Sequence, residues 1–323
     1  MRALGRWPAP ALFVSYLLVG TAAHAGCGAN VCSARTGWGV QSVNDWREQG
    51  TLLDLRFEYI DQSRRRSGSH AAASGGQHHE EQYTLNRNAL VTLDHGFAPG
   101  WGVSATLPIL SRTHEHIHYH RGERLIERWD YTRPGDMRLL LRHHRAVDTG
   151  DDTDSAAWAF NAGLKLPTGT YELTNDDGDT AERSLQPGTG TTDLLVGAYY
   201  GRGFSEHGVD VFAQAGLQYA VDERSGYRPG DRWTLDAGAR YGIGHRVEAF
   251  GQINLLWQRR DAGPDAEPDS TGGEFLYFNP GISYSFMRTA QLYALLQLPL
   301  YQRVNGVQLT AEHAVVVGMG KRF

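Results

Sequence analysis

Thr51-Leu-Leu-Asp-Leu-Arg-Phe-Glu-Tyr-Ile-Asp61 is the stretch on which the fold turns. Leu53, Leu55, Phe57 and Tyr59 share one parity, and Asp54, Arg56 and Glu58 share the other. Apolar residues at a spacing of two describe an extended strand with one face in an apolar medium; a helix would repeat them every three to four positions. The alternation recurs at Trp101, Val103, Ala105, Leu107 and Ile109 against Gly102, Ser104, Thr106 and Pro108. It returns at Val247–Trp257 and at Trp233–Tyr241, where Asp236 and Arg240 oppose Leu235, Ala237 and Ala239. Segments of about 10 residues parted by turn residues are the rhythm of a transmembrane barrel. Twelve are predicted, at 51–61, 82–95, 101–117, 129–144, 156–171, 191–203, 209–222, 232–243, 246–260, 275–287, 290–303 and 307–323.

A soluble sandwich also alternates, so other features decide. Aromatic residues stand towards the ends of the apolar faces, at Tyr59, Trp101, Trp158, Trp233, Tyr241 and Trp257, where interfacial girdles belong. Connections alternate between short ones (Asp94–Gly100, Ser205–Gly208, Gly244–Arg246, Met287–Ala290) and long polar ones (Gln62–Glu81, Glu172–Gly190, Asp261–Glu274). That asymmetry, and an even strand number, describe a single antiparallel outer-membrane β-barrel over residues 51–323. Asp148–Asp154 is the exception, a long acidic connection on the short side. The chain ends with Val315, Val317, Met319 and Phe323 on one face, and Phe323 is expected to engage the barrel-assembly machinery.

Composition agrees. Of 323 residues 21% are charged, the net charge is −5 and the mean hydropathy is negative. That excludes a bundle of transmembrane helices, each needing roughly 18 or more apolar residues in a row. It is compatible with a barrel, in which only alternate residues meet lipid. No basic block offers a footprint for nucleic acid.

Residues 1–25 read as a cleaved signal peptide: Arg2 and Arg6, an apolar stretch from Ala11 to Val19, then Ala23-His24-Ala25. A lipoprotein signal at Cys27 competes weakly, since His24 stands where an aliphatic residue is wanted. Residues 26–50 form a periplasmic lead-in. Cys27 and Cys32, the only cysteines, are expected to pair as a small local disulfide in an oxidising compartment.

With one parity facing lipid, the other lines a lumen. It carries Asp54, Arg56, Glu58, Asn86, Asn88, Asp136, Arg138, Arg142, Lys165, Asp193, Asp210, Gln214, Asp236, Arg240, Glu248 and Asn254. Barrels of eight strands are filled by side chains and those of 16–18 enclose water, so twelve leaves a narrow passage or a plugged barrel open. Gly135-Asp136, then Lys165-Leu-Pro-Thr-Gly169, then Pro187-Gly-Thr-Gly-Thr-Thr-Asp193 follow in order, with Gly197 and Tyr200 beyond. Over about 130–323 this order resembles the outer-membrane family labelled for meta-pathway phenol degradation, or simply as transporters. The resemblance implies an outer-membrane channel for small, often organic, solutes.

Residues 70–120 hold eight of the 14 histidines, four of them at His114, His116, His118 and His120. Their spacing of two puts them on one face of a strand, the lumen face carried towards the extracellular rim. With the hairpin turn around Phe97–Gly100, His116 is expected opposite Glu80, His118 opposite His78 and His114 opposite Gln82. Two imidazoles with a third nitrogen or a carboxylate would suit Zn²⁺ or Cu²⁺. A hydrated surface loop, or a pH-dependent gate, are the competing readings.

Three functions follow: a channel for small solutes with a metal-binding rim, a structural or adhesive barrel, and an outer-membrane hydrolase. The last needs a nucleophile with a base in hydrogen-bonding reach, and neither a G-x-S-x-G nor an HExxH motif occurs. Ser104 and Ser111 are near His114 in sequence only, so no catalytic residue and no cofactor beyond the metal are expected.

Overall fold

A computed structural model describes residues 50–72, 79–120, 123–150 and 154–323. The segment read as a signal peptide, Cys27, Cys32 and His78 lie outside the described residues, as does the segment read as a lead-in except for Gly50.

Antiparallel strands alone make the wall. They are β1 (Gly50–Gln62), β2 (Arg64–Gly68), β3 (His70–Ala71), β4 (His79–Ala98), β5 (Trp101–His120), β6 (Glu123–Pro134), β7 (Met137–Val147) and β8 (Ser155–Leu166). There follow β9 (Asp193–Phe204), β10 (Val209–Ala220), β11 (Arg232–Ile243), β12 (Val247–Gln258), β13 (Gly273–Met287), β14 (Ala290–Thr310) and β15 (His313–Arg322). Strand β1 pairs with β4 on one side and β15 on the other, so the sheet closes; Leu55 faces both Val91 and Met319. Strands β6 and β7 share one place beside β5, and β2 and β3 only extend the rim of β14, which leaves a twelve-strand barrel. The wall ends meet where the Phe323 N–H donates to Thr51 O at 2.8 Å. That end also carries the short turns, which makes it the periplasmic one.

Parity sorts the side chains as the alternation predicts. Leu235 is 53% exposed on the outer face while its neighbour Asp236 is 2% exposed within. Trp233 and Trp257 stack outward with ring centroids 4.4 Å apart. Buried polar groups such as Glu58, Asn86, Asp193 and Asn279 line the inside.

Three boundaries differ from the sequence reading. The segment read as 129–144 breaks at Gly135-Asp136, between β6 and β7. Strand β14 runs on through Gly306, and the turn falls at Ala311-Glu312 instead of near residue 305. The segment read as 156–171 leaves the wall at Leu166, because Pro167 cannot donate to the ladder.

The β4–β5 hairpin also corrects the histidine register. Asp94 lies opposite Ser104, because the turn tightens onto Pro99-Gly100. A bulge then places Gln82 and Tyr83 where one residue would fit, and parity on β4 reverses above it. Glu81 therefore faces His116, Thr84 faces His114, and His79 pairs with His118. Glu80 turns to the other face, 3.6 Å from Arg65.

Candidate functional site

The lumen is built from inward side chains and from the connection between β8 and β9. Residues 167–192 leave the wall; Asp176–Thr180 stay exposed, and the part from Ala181 on folds back inside. Their 3₁₀ turn, Arg183–Leu185, carries the fully buried Leu185 into a cluster with Trp129, Tyr131, Ala181 and Leu309. Arg112 reaches in from β5 to donate to Leu185 O at 2.8 Å and, through Nε, to Asn86 Oδ1 at 2.7 Å. The Tyr131 hydroxyl also donates to Leu185 O. A plug held by apolar burial and by bonds to its backbone is an ordered part of the barrel.

Its anchor is the three-motif constellation singled out in the sequence. Asp136, at the break between β6 and β7, accepts from the Gly169 N–H at 3.0 Å through Oδ1. Its Oδ2 accepts from Lys165 Nζ at 2.7 Å and from the Thr189 N–H at 3.0 Å. Lys165 also donates to Thr189 Oγ1 and to Thr191 O, and stands 3.3 Å from Asp193 Oδ1. Asp193 in turn accepts from Thr191 Oγ1 at 2.8 Å and from Gln218. Gly188 is required by close approach: a Cβ there would lie 2.4 Å from Gly169 O and 2.7 Å from Asp136 Oδ1.

Beneath the plug the barrel encloses a cavity of about 390 Å³. Its walls mix leucines (Leu52, Leu90, Leu110, Leu140) with charges (Asp54, Arg56, Asp94, Arg138, Arg142), and Pro187 and Thr189 of the plug close its upper side. Most of these charges have partners. Arg142 Nη2 lies 2.6 Å from Asp94 Oδ1, and Arg56 Nε lies 3.1 Å from Glu58 Oε1. Asp54 accepts from the Tyr293 hydroxyl at 3.1 Å. On the opposite wall Asp236 accepts from Gln214 and Asn254, each at 2.7 Å. Apolar side chains thus share the lining with seven basic and five acidic ones, an amphipathic surface with a small excess of positive charge.

Above the plug two further loops interlock with it. Arg183 lies between the rings of Tyr171 and Tyr227, at 4.8 and 4.7 Å. The buried Tyr227 hydroxyl donates to Asp261 Oδ2 at 2.8 Å, and the Gly230 N–H donates to Oδ1 at 2.8 Å. Burial first, and then the charge of Asp261, push the Tyr227 phenol well above its ordinary range. Burial likewise raises the Asp261 carboxyl, against those two donors.

A family described as "Putative MetA-pathway of phenol degradation" matches residues 139–307, more than half of the chain. The chain belongs to this family. The family match takes in Lys165, Thr189, Thr191 and Asp193 and begins just past Asp136. An outer membrane channel from Pseudomonas putida F1 superposes with a TM-score of 0.63 at 12% identity, covering 86% of this chain and 98% of that one. It shows that this family member has the fold of an outer-membrane β-barrel. The Pseudomonas putida toluene transporter TodX, at a TM-score of 0.44 and 10% identity over 93% and 98% of the chains, is a looser likeness. No curated protein matches this family member in sequence.

The structure gathers part of the predicted histidine set. His114 and His116 are buried side by side on the inner face of β5, with ring centroids 5.6 Å apart. Glu81 joins them in place of Glu80. The backbones of His118 and His120 continue β5, pairing with β4 and β6. Ser111 lies at odd parity, on the opposite face from His114, and Ser104 is ten residues down the strand, roughly 33 Å away. Neither can form a nucleophile–base pair with His114. The plug residues Arg183 and Leu185 were not singled out in the sequence. A leucine in an otherwise polar loop was the available signal.

Proposed function

We propose that this outer-membrane barrel passes small organic solutes that combine an apolar body with a hydroxyl or carboxylate, and that the plug of residues 167–192 sets what passes. The carrying observation is the cavity of about 390 Å³, where leucines and paired charges share one lining under the plug. A volume near the lower end of ligand pockets suits a single aromatic ring with a polar substituent and leaves little room for a disaccharide. Arg56, Arg138 and Arg142 on the lumen wall present guanidinium donors towards an oxyanion, while the leucines receive the ring. The family's description, which names phenol degradation, agrees with such solutes. The 68% exposure of Phe323 at the end of the wall supports its recognition by the assembly machinery.

Uptake into proteoliposomes tests this reading, with benzoate and 4-hydroxybenzoate against a disaccharide. Saturable aromatic uptake with disaccharide exclusion is expected. Equal passage of both solutes rejects the assigned selectivity. A barrel that stays silent even when the plug anchor is cut supports a structural barrel instead.

A further inference from the structure

At the extracellular ends of β4, β5 and β6 the side chains have the chemistry of a metal centre. Glu81, His114 and His116 are buried, and one ligand atom from each lies within 4.8 Å of the other two. His114 Nε2 stands 3.1 Å from Glu81 Oε2, while its Nδ1 lies 2.8 Å from Thr84 Oγ1. An Nδ1–H donated to the threonine puts the imidazole lone pair on Nε2, the atom turned to Glu81. His116 Nε2 lies 2.8 Å from Glu127 Oε2. A carboxylate that takes one imidazole proton places the lone pair on the other nitrogen, orients the ring and raises its basicity, as it does behind metal-bound histidines. Trp129 packs against both rings, at 5.9 Å from His114 and 4.9 Å from His116, and keeps them from turning away.

The bulge at Gln82 builds this arrangement. Without the parity reversal Glu81 would face outward. With it, two imidazoles and a carboxylate converge behind an apolar shelf. Glu81 is fully buried and Glu127 is partly buried beside the two imidazoles, so a doubly charged cation entering here meets two carboxylates.

We propose that Glu81, His114 and His116 form a binding site for one divalent transition-metal ion of the Zn²⁺ and Cu²⁺ class, oriented from behind by Thr84 and Glu127. Two nitrogens and a carboxylate oxygen are a sufficient protein set, with a fourth position left for water. The Glu127 side chain, 23% exposed against 0% for Glu81 and His114, marks the side from which the ion enters. Metal–nitrogen bonds of about 2.0–2.1 Å require the three side chains to draw together on binding. The ion ties β4 to β5 beside Trp129, whose Nε1–H donates to Asp179 O of the plug at 3.2 Å, so it stiffens the shelf on which the plug rests.

Full-length barrel stripped with a chelator and held in detergent provides the test. ZnCl₂ and CuCl₂ are titrated by calorimetry and CoCl₂ by visible absorption. One ion per chain is expected, with Co²⁺ giving the intense bands of a low-coordinate site. Glu81→Gln and His116→Gln should abolish saturable binding, and Glu127→Gln should weaken it about 10–100-fold, the usual effect of losing an orienting partner. His118→Ala and His120→Ala should leave it intact. Heat-modifiable gel migration confirms that each variant is folded, and Glu127→Gln decides should either ligand variant misfold. Absence of saturable binding, binding that survives both ligand variants, or binding lost only with His118 and His120 overturns the proposal.

Discussion

Lys165 Nζ lies 2.7 Å from Asp136 Oδ2, and this buried ion pair joins the start of the plug to the break in the barrel wall. Removing one partner of such a pair typically costs about 3–5 kcal/mol, because the other charge stays buried without compensation. Lys165→Met strands both Asp136 and Asp193, whereas Asp136→Asn leaves the lysine its bond with Asp193. Lys165→Met should therefore release the plug more than Asp136→Asn does. Single-channel conductance in planar bilayers should rise in that order, and protease cutting within 167–192 should accelerate. Equal conductance across the three proteins would show that the plug is held elsewhere.

Gly188 is a second point of attachment. A methyl group there would sit 2.4 Å from Gly169 O, with backbone on one side and Asp136 on the other, so neither can yield as a flexible side chain tip would. Gly188→Ala should destabilise the plug by about 1–3 kcal/mol, the range for overpacking a filled site. Hydrogen exchange of the 183–192 amides measures it. Since the wall strands keep their own ladders, barrel migration on gels should be unchanged.

Asp94 and Arg142 form a 2.6 Å pair on the lumen wall towards the periplasmic end. Arg142→Gln leaves a carboxylate facing the passage and should shift reversal potentials towards cation preference; Asp94→Asn should shift them towards anions. The two shifts should shrink as salt rises from 0.1 M to 1 M, where the screening length falls from about 10 to about 3 Å. Shifts of the same sign for both variants would place the pair outside the conduction path.

How much of this was legible before the structure follows from what each signal measures. Alternation reports which medium each face meets, so Leu53–Tyr59 and Leu235–Ala239 were readable as lipid-facing. It carries no information on events that change parity. The bulge at Gln82 exchanged Glu80 for Glu81 in the histidine cluster, and no residue there is peculiar to a bulge. Asn305-Gly306 has the composition of a hairpin turn. Instead Gly306, with φ of 59°, sits at an irregularity within β14, and Asn305 Nδ2 donates to Thr271 O of a neighbouring loop. The motifs around Asp136, Lys165 and Asp193 were visible as a resemblance, but their convergence is a long-range contact that no local pattern encodes. Polar loop composition hid the plug, whose few apolar residues, Leu173, Ala181 and Leu185, are those that the wall buries.

Asp261 and Tyr227 give the extracellular loops a pH dependence with a definite sign. Burial raises the Asp261 carboxyl above its unfolded value, so the folded loops favour the neutral acid. The stability this group adds is fully present below the unfolded value of about 3.9 and is lost as pH rises through the higher folded value. Loop protection should thus be greater in mild acid than at neutral pH. Asp261→Asn, which can still accept from Gly230 and bond Tyr227, should hold protection constant over that window. Hydrogen exchange across 221–231 and 259–272, corrected for intrinsic rates, makes the comparison, and a wild-type protein whose protection rises with pH would contradict the sign.

The two faces of one wall should answer substitution differently. Val317, 44% exposed in the middle of β15, faces lipid opposite Phe57 and Ala294. An arginine there must leave its charge in hydrocarbon or drag it to the interface, so Val317→Arg should cost about 2–4 kcal/mol of folding free energy. Thr106 lies on the lumen side, lining the cavity, and shares a 2.9 Å hydrogen bond with Thr92. Thr106→Arg loses that bond, worth about 1 kcal/mol, and keeps its charge in a polar passage. Urea unfolding in lipid vesicles should separate the first variant from wild type far more than the second, and conductance should fall for the second alone. Reversed effects would mean that the parity assigned to the wall is inverted, because both positions are mid-strand and laddered on each side.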